Sequence, residues 1–249
     1  MKKTFSSKKS AFSLIELSIV LIIIGLLIAG ITGGASLIKS SELRSIMGEA
    51  RGYAVAVNSF FTQYDQYPGD ASNAVGSNSI GNGDRDNKIE FVNDASTKFS
   101  EGIDAWFDLK DIGAIDLALT SVSTSSPTAL VPVTNIPGSK IKGAGWVFDY
   151  HVVNLQNVVV LTGTTTAFDA TNFPSLVNET TKSAAAEIIS APDSLSIDSK
   201  IDDGKANSGN VQSVNQLTST TECSNADAYT VSNGAKKVCV LTFRVDVSS

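Results

Sequence analysis

A single carboxylate, Glu16, stands near the start of an apolar stretch that reaches Ile38. On insertion scales a charged side chain costs roughly 2.5–3.5 kcal/mol at a membrane helix centre and less near the interface, so an acid placed there is a functional residue by default. A second group of oxygens lies in Asn82-Gly83-Asp84-Arg85-Asp86-Asn87-Lys88-Ile89-Glu90. Donors at Asn82, Asp84 and Asp86 alternate and can converge on one hard cation, with the Lys88 carbonyl adding a further oxygen and Asp94 an acid just beyond. A third acidic group, Asp198, Asp202 and Asp203, is followed by Gly204 and reads as a helix C-terminus and turn. His151, the only histidine, falls inside a strand pattern and reads as structural. The sequence has no Walker loop, H-E-x-x-H, G-x-S-x-G or paired Cys-x-x-Cys, and the expectation is a protein that is not an enzyme.

The element that positions Glu16 is the N-terminal segment. Lys2, Lys3, Lys8 and Lys9 precede it with no acid among the first eleven residues. From Leu17 to Ile38 no residue is charged, and about 20 apolar residues suffice to cross a hydrocarbon core as a helix. The basic leader should remain cytoplasmic, which places everything after Lys39 on the far side. Two other readings of the stretch are an ordinary secretory signal cut near Gly33, Gly34 and Ala35, and an uncleaved anchor. Neither accounts for Glu16. Taking the four leader lysines away from the net charge of −6 leaves −10, so nucleic acid is not an expected partner.

Ala11-Phe12-Ser13-Leu14-Ile15-Glu16 resembles the prepilin cleavage and methylation motif of type IV pilins and type II secretion pseudopilins. The family pattern is a small residue, then Phe, with Glu four residues beyond. The resemblance implies cleavage between Ala11 and Phe12 by a prepilin peptidase, and N-methylation of the new Phe12 amine. It departs from the family in one place, with Ala11 where Gly is usual. It further implies that the Glu16 carboxylate meets the N-terminal amine of a neighbouring subunit. In an apolar bundle an unpaired carboxylate is costly and a paired one much less so, which would favour one assembly register.

The helical pattern continues past the membrane. Leu43, Ile46, Met47, Ala50, Tyr53, Ala54, Val57, Phe60, Phe61 and Tyr64 recur at three- and four-residue spacing, and Pro68-Gly69 ends it. A helix from Ser13 to Tyr64 is roughly 75–80 Å long. Gly30 and Gly34 have the small-xxx-small spacing of packed membrane helices. Farther on, Ile103, Trp106, Phe107, Leu109, Ile112, Ile115 and Leu119 predict a helix interrupted near Gly113. Residues 121–137 read as an irregular arm. Residues 146–153 and 158–162 predict strands, 182–190 a short helix, 192–201 another, and 238–247 a final strand. The predicted class is α+β, pilin-like, with a long N-terminal helix packed on a C-terminal antiparallel sheet domain. The predicted divisions are leader 1–11, membrane and assembly helix 12–38, its amphipathic continuation 39–66, and a periplasmic or extracellular domain 67–249.

Cys223 and Cys239 allow one intrachain pair, and oxidation is the expected state outside the inner membrane. The pair also resembles the disulfide-bounded C-terminal region of many type IV pilins. The loop from Asn82 resembles the first part of an EF-hand-like calcium loop, with calcium the candidate cofactor; it differs in having Asn87 in place of Gly and Asn93 in place of the bidentate Glu. Tyr67-Pro68-Gly69-Asp70, Trp106-Phe107-Asp108-Leu109 and Ile201-Asp202-Asp203-Gly204 resemble a group of prepilin-type proteins with a Pro-Gly-Asp segment, and are read as turn and core residues. The family resemblance implies a structural subunit of a type IV pilus or related filament, or a pseudopilin of a type II secretion system. A third reading is a secreted binding protein or hydrolase with a chance signal resemblance. The partners implied are other pilins or pseudopilins, a prepilin peptidase, an inner-membrane assembly platform and membrane lipid. The implied location is the inner membrane, then a periplasmic pseudopilus or a surface pilus.

Overall fold

The computed structural model describes residues 13–71, 83–91, 100–116, 129–165, 182–183, 185–216 and 221–246. The first helix, α1, is Leu14–Tyr64. It starts with one half of a capping box, in which the Ser13 amide donates to Glu16 Oε2 at 2.8 Å. It ends where Asp65 takes a left-handed conformation (φ 55°) and its amide donates to the Phe61 carbonyl. The chain divides into two compact units, residues 1–42 and 43–249. In the first, Leu, Ile and Val side chains are exposed all round α1, and the span is apolar and long enough to cross a membrane.

In the second unit the same helix has one buried stripe: Leu43, Ile46, Ala50, Val57 and Phe60. These side chains meet a sheet built from β1 (Gly145–His151), β2 (Gln156–Thr162), β3 (Lys182–Ser183), β4 (Ile189–Ser190), β5 (Val211–Gln216) and β8 (Lys237–Arg244). The order is β1-β2-β8-β5-β3, with β4 also on β8, and a separate ribbon pairs β6 (Ser224–Asn225) with β7 (Ala228–Tyr229). All pairings are antiparallel except β3 with β5.

Both faces of this sheet are covered, which is why β1, β2 and β8 read as almost continuous apolar runs. Trp146, Phe148, Val159, Leu161, Leu241 and Phe243 join the core under α1, while Val147, Val158, Val160, Val214 and Val240 join a second core on the other side. This is the two-residue alternation of a strand. Helix α2 (Glu101–Asp111) serves both cores, sending Trp106 and Leu109 to one and Ile103 and Phe107 to the other. Ser100 caps it by accepting from the Ile103 amide, and Gly113 (φ 71°) follows its end. Helix α3 (Ala191–Ile201) is capped by Ser190, with Pro192 in its first turn.

Several elements differ from expectation, among them the β6–β7 ribbon, which has no counterpart among the predicted elements. Among the described residues, 182–183 and 185–190, the short helix predicted over 182–190 does not form: Lys182 and Ser183 pair with β5, and Ile189 and Ser190 pair with β8. Strand pairing on either side overrides the helix propensity of Ala185 and Ala186. Strand β5, Val-Gln-Ser-Val-Asn-Gln, carries no strand signal in the sequence, because its polar residues break the apolar run. The expected helix position Leu119 lies outside the described residues, as do positions 121–128 of the irregular arm.

Candidate functional site

Glu16 sits in the first turn of α1 with an exposed side chain. Its carboxylate is already used once, as acceptor for the Ser13 amide. Ala11 and Phe12, the expected cleavage and methylation residues, lie outside the described residues. Beyond Glu16 the next charged residue is Lys39, so this carboxylate is the one acidic group of the exposed apolar half.

Asp84, Asp86 and Lys88 fall in a segment with no regular secondary structure, residues 83–91. Asn82 and Asp94 lie outside the described residues. Each amide from Arg85 to Phe91 donates to a side-chain oxygen. Arg85 and Asn87 donate to the two oxygens of Asp70, at 2.7 and 2.9 Å. Asp86 and Lys88 donate to Asp84 and Asp86, each two residues back, as Asx turns do. Ile89 donates to Asn157, Glu90 to Glu101 and Phe91 to Asp149, at 2.7, 3.0 and 3.0 Å. The Asn157 side-chain amide then donates to the Asn87 carbonyl. Asp70, Glu101, Asp149 and Asn157 are all buried. The Lys88 ammonium pairs with Asp86 and lies 5.4 Å from the centre of the Tyr150 ring.

This arrangement brings carboxylates close together. Asp70, Asp84 and Glu101 present oxygens within 4.8 Å of one another, as do Asp84, Asp86 and Glu90; either set could hold a divalent cation. Burial, together with the neighbouring acids, raises the Glu101 carboxyl to about 9 and that of Glu90 to about 7. Asp70 is raised to about 6 by burial, against the lowering effect of its two amide donors.

The Pro68-Gly69-Asp70 turn joins the same region. The Gly69 amide donates to Asp108 Oδ2 of α2 at 2.8 Å. Gly69 has φ 83°, and a Cβ there would sit 2.2 Å from the Glu101 carbonyl oxygen, so the position requires glycine. Asp108 is also pushed up, to about 7, chiefly by burial. The role of Asp70, Asp149 and Asn157 was not read from the sequence. Only the Pro-Gly-Asp stretch gave a signal, and it marked a turn.

The expected cysteine pair is a disulfide, Cys223–Cys239, with both residues buried. It links the stretch entering β6 to β8. Asn215 of β5 holds the same stretch by accepting from the Cys223 amide at 2.7 Å and donating to the Ser224 carbonyl. The later acidic group serves as a set of amide acceptors: Asp198 binds the Gly204 amide and the Tyr229 hydroxyl, Asp202 the amides of Asn210 and Val211, and Asp203 the Lys205 amide. His151 is buried and held neutral, its ring lowered to about 4 by burial, and Nδ1 accepts from the Asn154 amide.

Residues 6–32 match the model of the prokaryotic N-terminal methylation motif. The chain therefore carries the hallmark of prepilin-type proteins, and with its long helix ahead of an antiparallel sheet domain it is type IV pilin- or pseudopilin-like. No curated protein and no solved structure matches the chain.

Proposed function

We propose that this protein is a structural subunit of a type IV pilus or pilus-like filament, held in the inner membrane as a precursor and assembled through its N-terminal helix. The observation that carries this reading is the apolar half of α1, exposed all round, with one carboxylate in its first turn and the methylation motif across its start. In this reading prepilin peptidase removes residues 1–11, the Phe12 amine is methylated, and residues 12–38 move from lipid into a helical bundle. Both surroundings are apolar, so the transfer has little hydrophobic driving force of its own. Glu16 pairs with the Phe12 amine of a neighbour and fixes the register. The leader lysines keep the N-terminus cytoplasmic. Pilin-type proteins are structural, and this reading assigns no catalytic residue.

Among filaments, the buried Cys223–Cys239 bridge favours a pilus over a type II secretion pseudopilus, since it resembles the disulfide-bounded region of many pilins. The test is the intact mass of the mature protein together with shearing of cells. A chain starting at methylated Phe12 and recovered in sheared fibres is expected. A start near Ser36, or an uncut leader, overturns the reading. A correctly processed chain found only in a periplasmic assembly, with secretion lost on its deletion, replaces the pilus with a pseudopilus. Glu16→Ala is expected to be processed normally and to assemble poorly; filament at the unmodified level contradicts the proposed pairing.

A further inference from the structure

We draw no further inference here: the strongest candidate, the carboxylate cluster of Asp70, Asp84 and Glu101 between the turn after α1 and the start of α2, consists of acids of which Asp70 and Glu101 already accept backbone amides of residues 85–91, and no second observation points to an ion held among them.

Discussion

Glu49 of α1 accepts a hydrogen bond from the indole nitrogen of Trp146 in β1, at 2.8 Å. The same carboxylate takes the Ser139 hydroxyl at 2.6 Å and the Lys140 amide at 2.9 Å. The Tyr53 ring, one turn along the helix, stands edge-on to both Trp106 and Trp146. Helix and sheet are thus joined by an oriented polar contact as well as by apolar packing.

Removing that contact should be costly, because Trp146 is fully buried and its N–H would lose its partner. An unsatisfied buried donor costs about 1–3 kcal/mol. Glu49→Ala is expected to lower the melting temperature of the detergent-solubilised chain by several degrees, at about 2–4 °C per kcal/mol for a domain of this size. Glu49→Gln, which retains an acceptor, should lose less. Equal melting of Glu49→Ala and the unmodified protein contradicts the account.

Buried carboxyls set a direction for the pH dependence. A carboxyl whose folded value is raised holds its proton more tightly when folded, so it adds stability at low pH and withdraws it as the pH climbs through that value. The folded values are about 6 for Asp70, about 7 for Glu90 and Asp108, and about 9 for Glu101. Melting temperature should therefore fall as pH rises from 6.5 to 9. His151 contributes the opposite slope, but only as the pH drops below its ordinary 6.5 towards about 4. Glu101→Gln keeps an acceptor for the Glu90 amide and should flatten the curve above pH 7. An unchanged slope in that variant removes Glu101 as its source.

The disulfide closes a loop with a sequence separation of 16. Cross-linking a loop of that size contributes roughly 3 kcal/mol, through the unfolded chain in the entropic account. The double variant Cys223→Ser/Cys239→Ser should show a loss of that order in denaturant titration. Because both cysteines are buried, reductant should act on the unmodified protein only as it unfolds. Rapid reduction of the native chain would show that the bridge is accessible.

Glycines within one chain should respond in opposite directions. Gly48 and Gly52 lie inside α1 with nothing within 4 Å of an added Cβ. Replacing either with Ala should stabilise the subunit by about 0.5–1 kcal/mol. Gly69→Ala and Gly102→Ala meet backbone oxygens at 2.2 Å and should each lose more than these changes gain. Thermal melts of the four single variants test the contrast directly.

The sequence was informative where chemistry and periodicity coincide locally. The leader lysines, the Phe12-to-Glu16 spacing and the apolar run mark the N-terminal segment, and the three- and four-residue recurrence from Leu43 to Tyr64 matches the stripe that α1 buries. Strands β1, β2 and β8 were legible because both their faces are apolar. Strand β5 and the pairing of Lys182 and Ser183 were not, since they rest on ladder bonds between segments distant in sequence. The oxygens of residues 82–90 were visible as a group, but spacing alone does not say which donors such oxygens face. Their neighbours Asp70, Glu101, Asp149 and Asn157 come from four separate parts of the chain.

That last relationship bears on transplantation. The path of residues 85–91 is written largely at positions 70, 101, 149 and 157, none of them inside the segment. Arg85 and Asn87 are moreover held in left-handed backbone (φ 65° and 66°) by the Asp70 carboxylate that takes both their amides, so the heptapeptide grafted alone onto another scaffold would leave most of its shape behind.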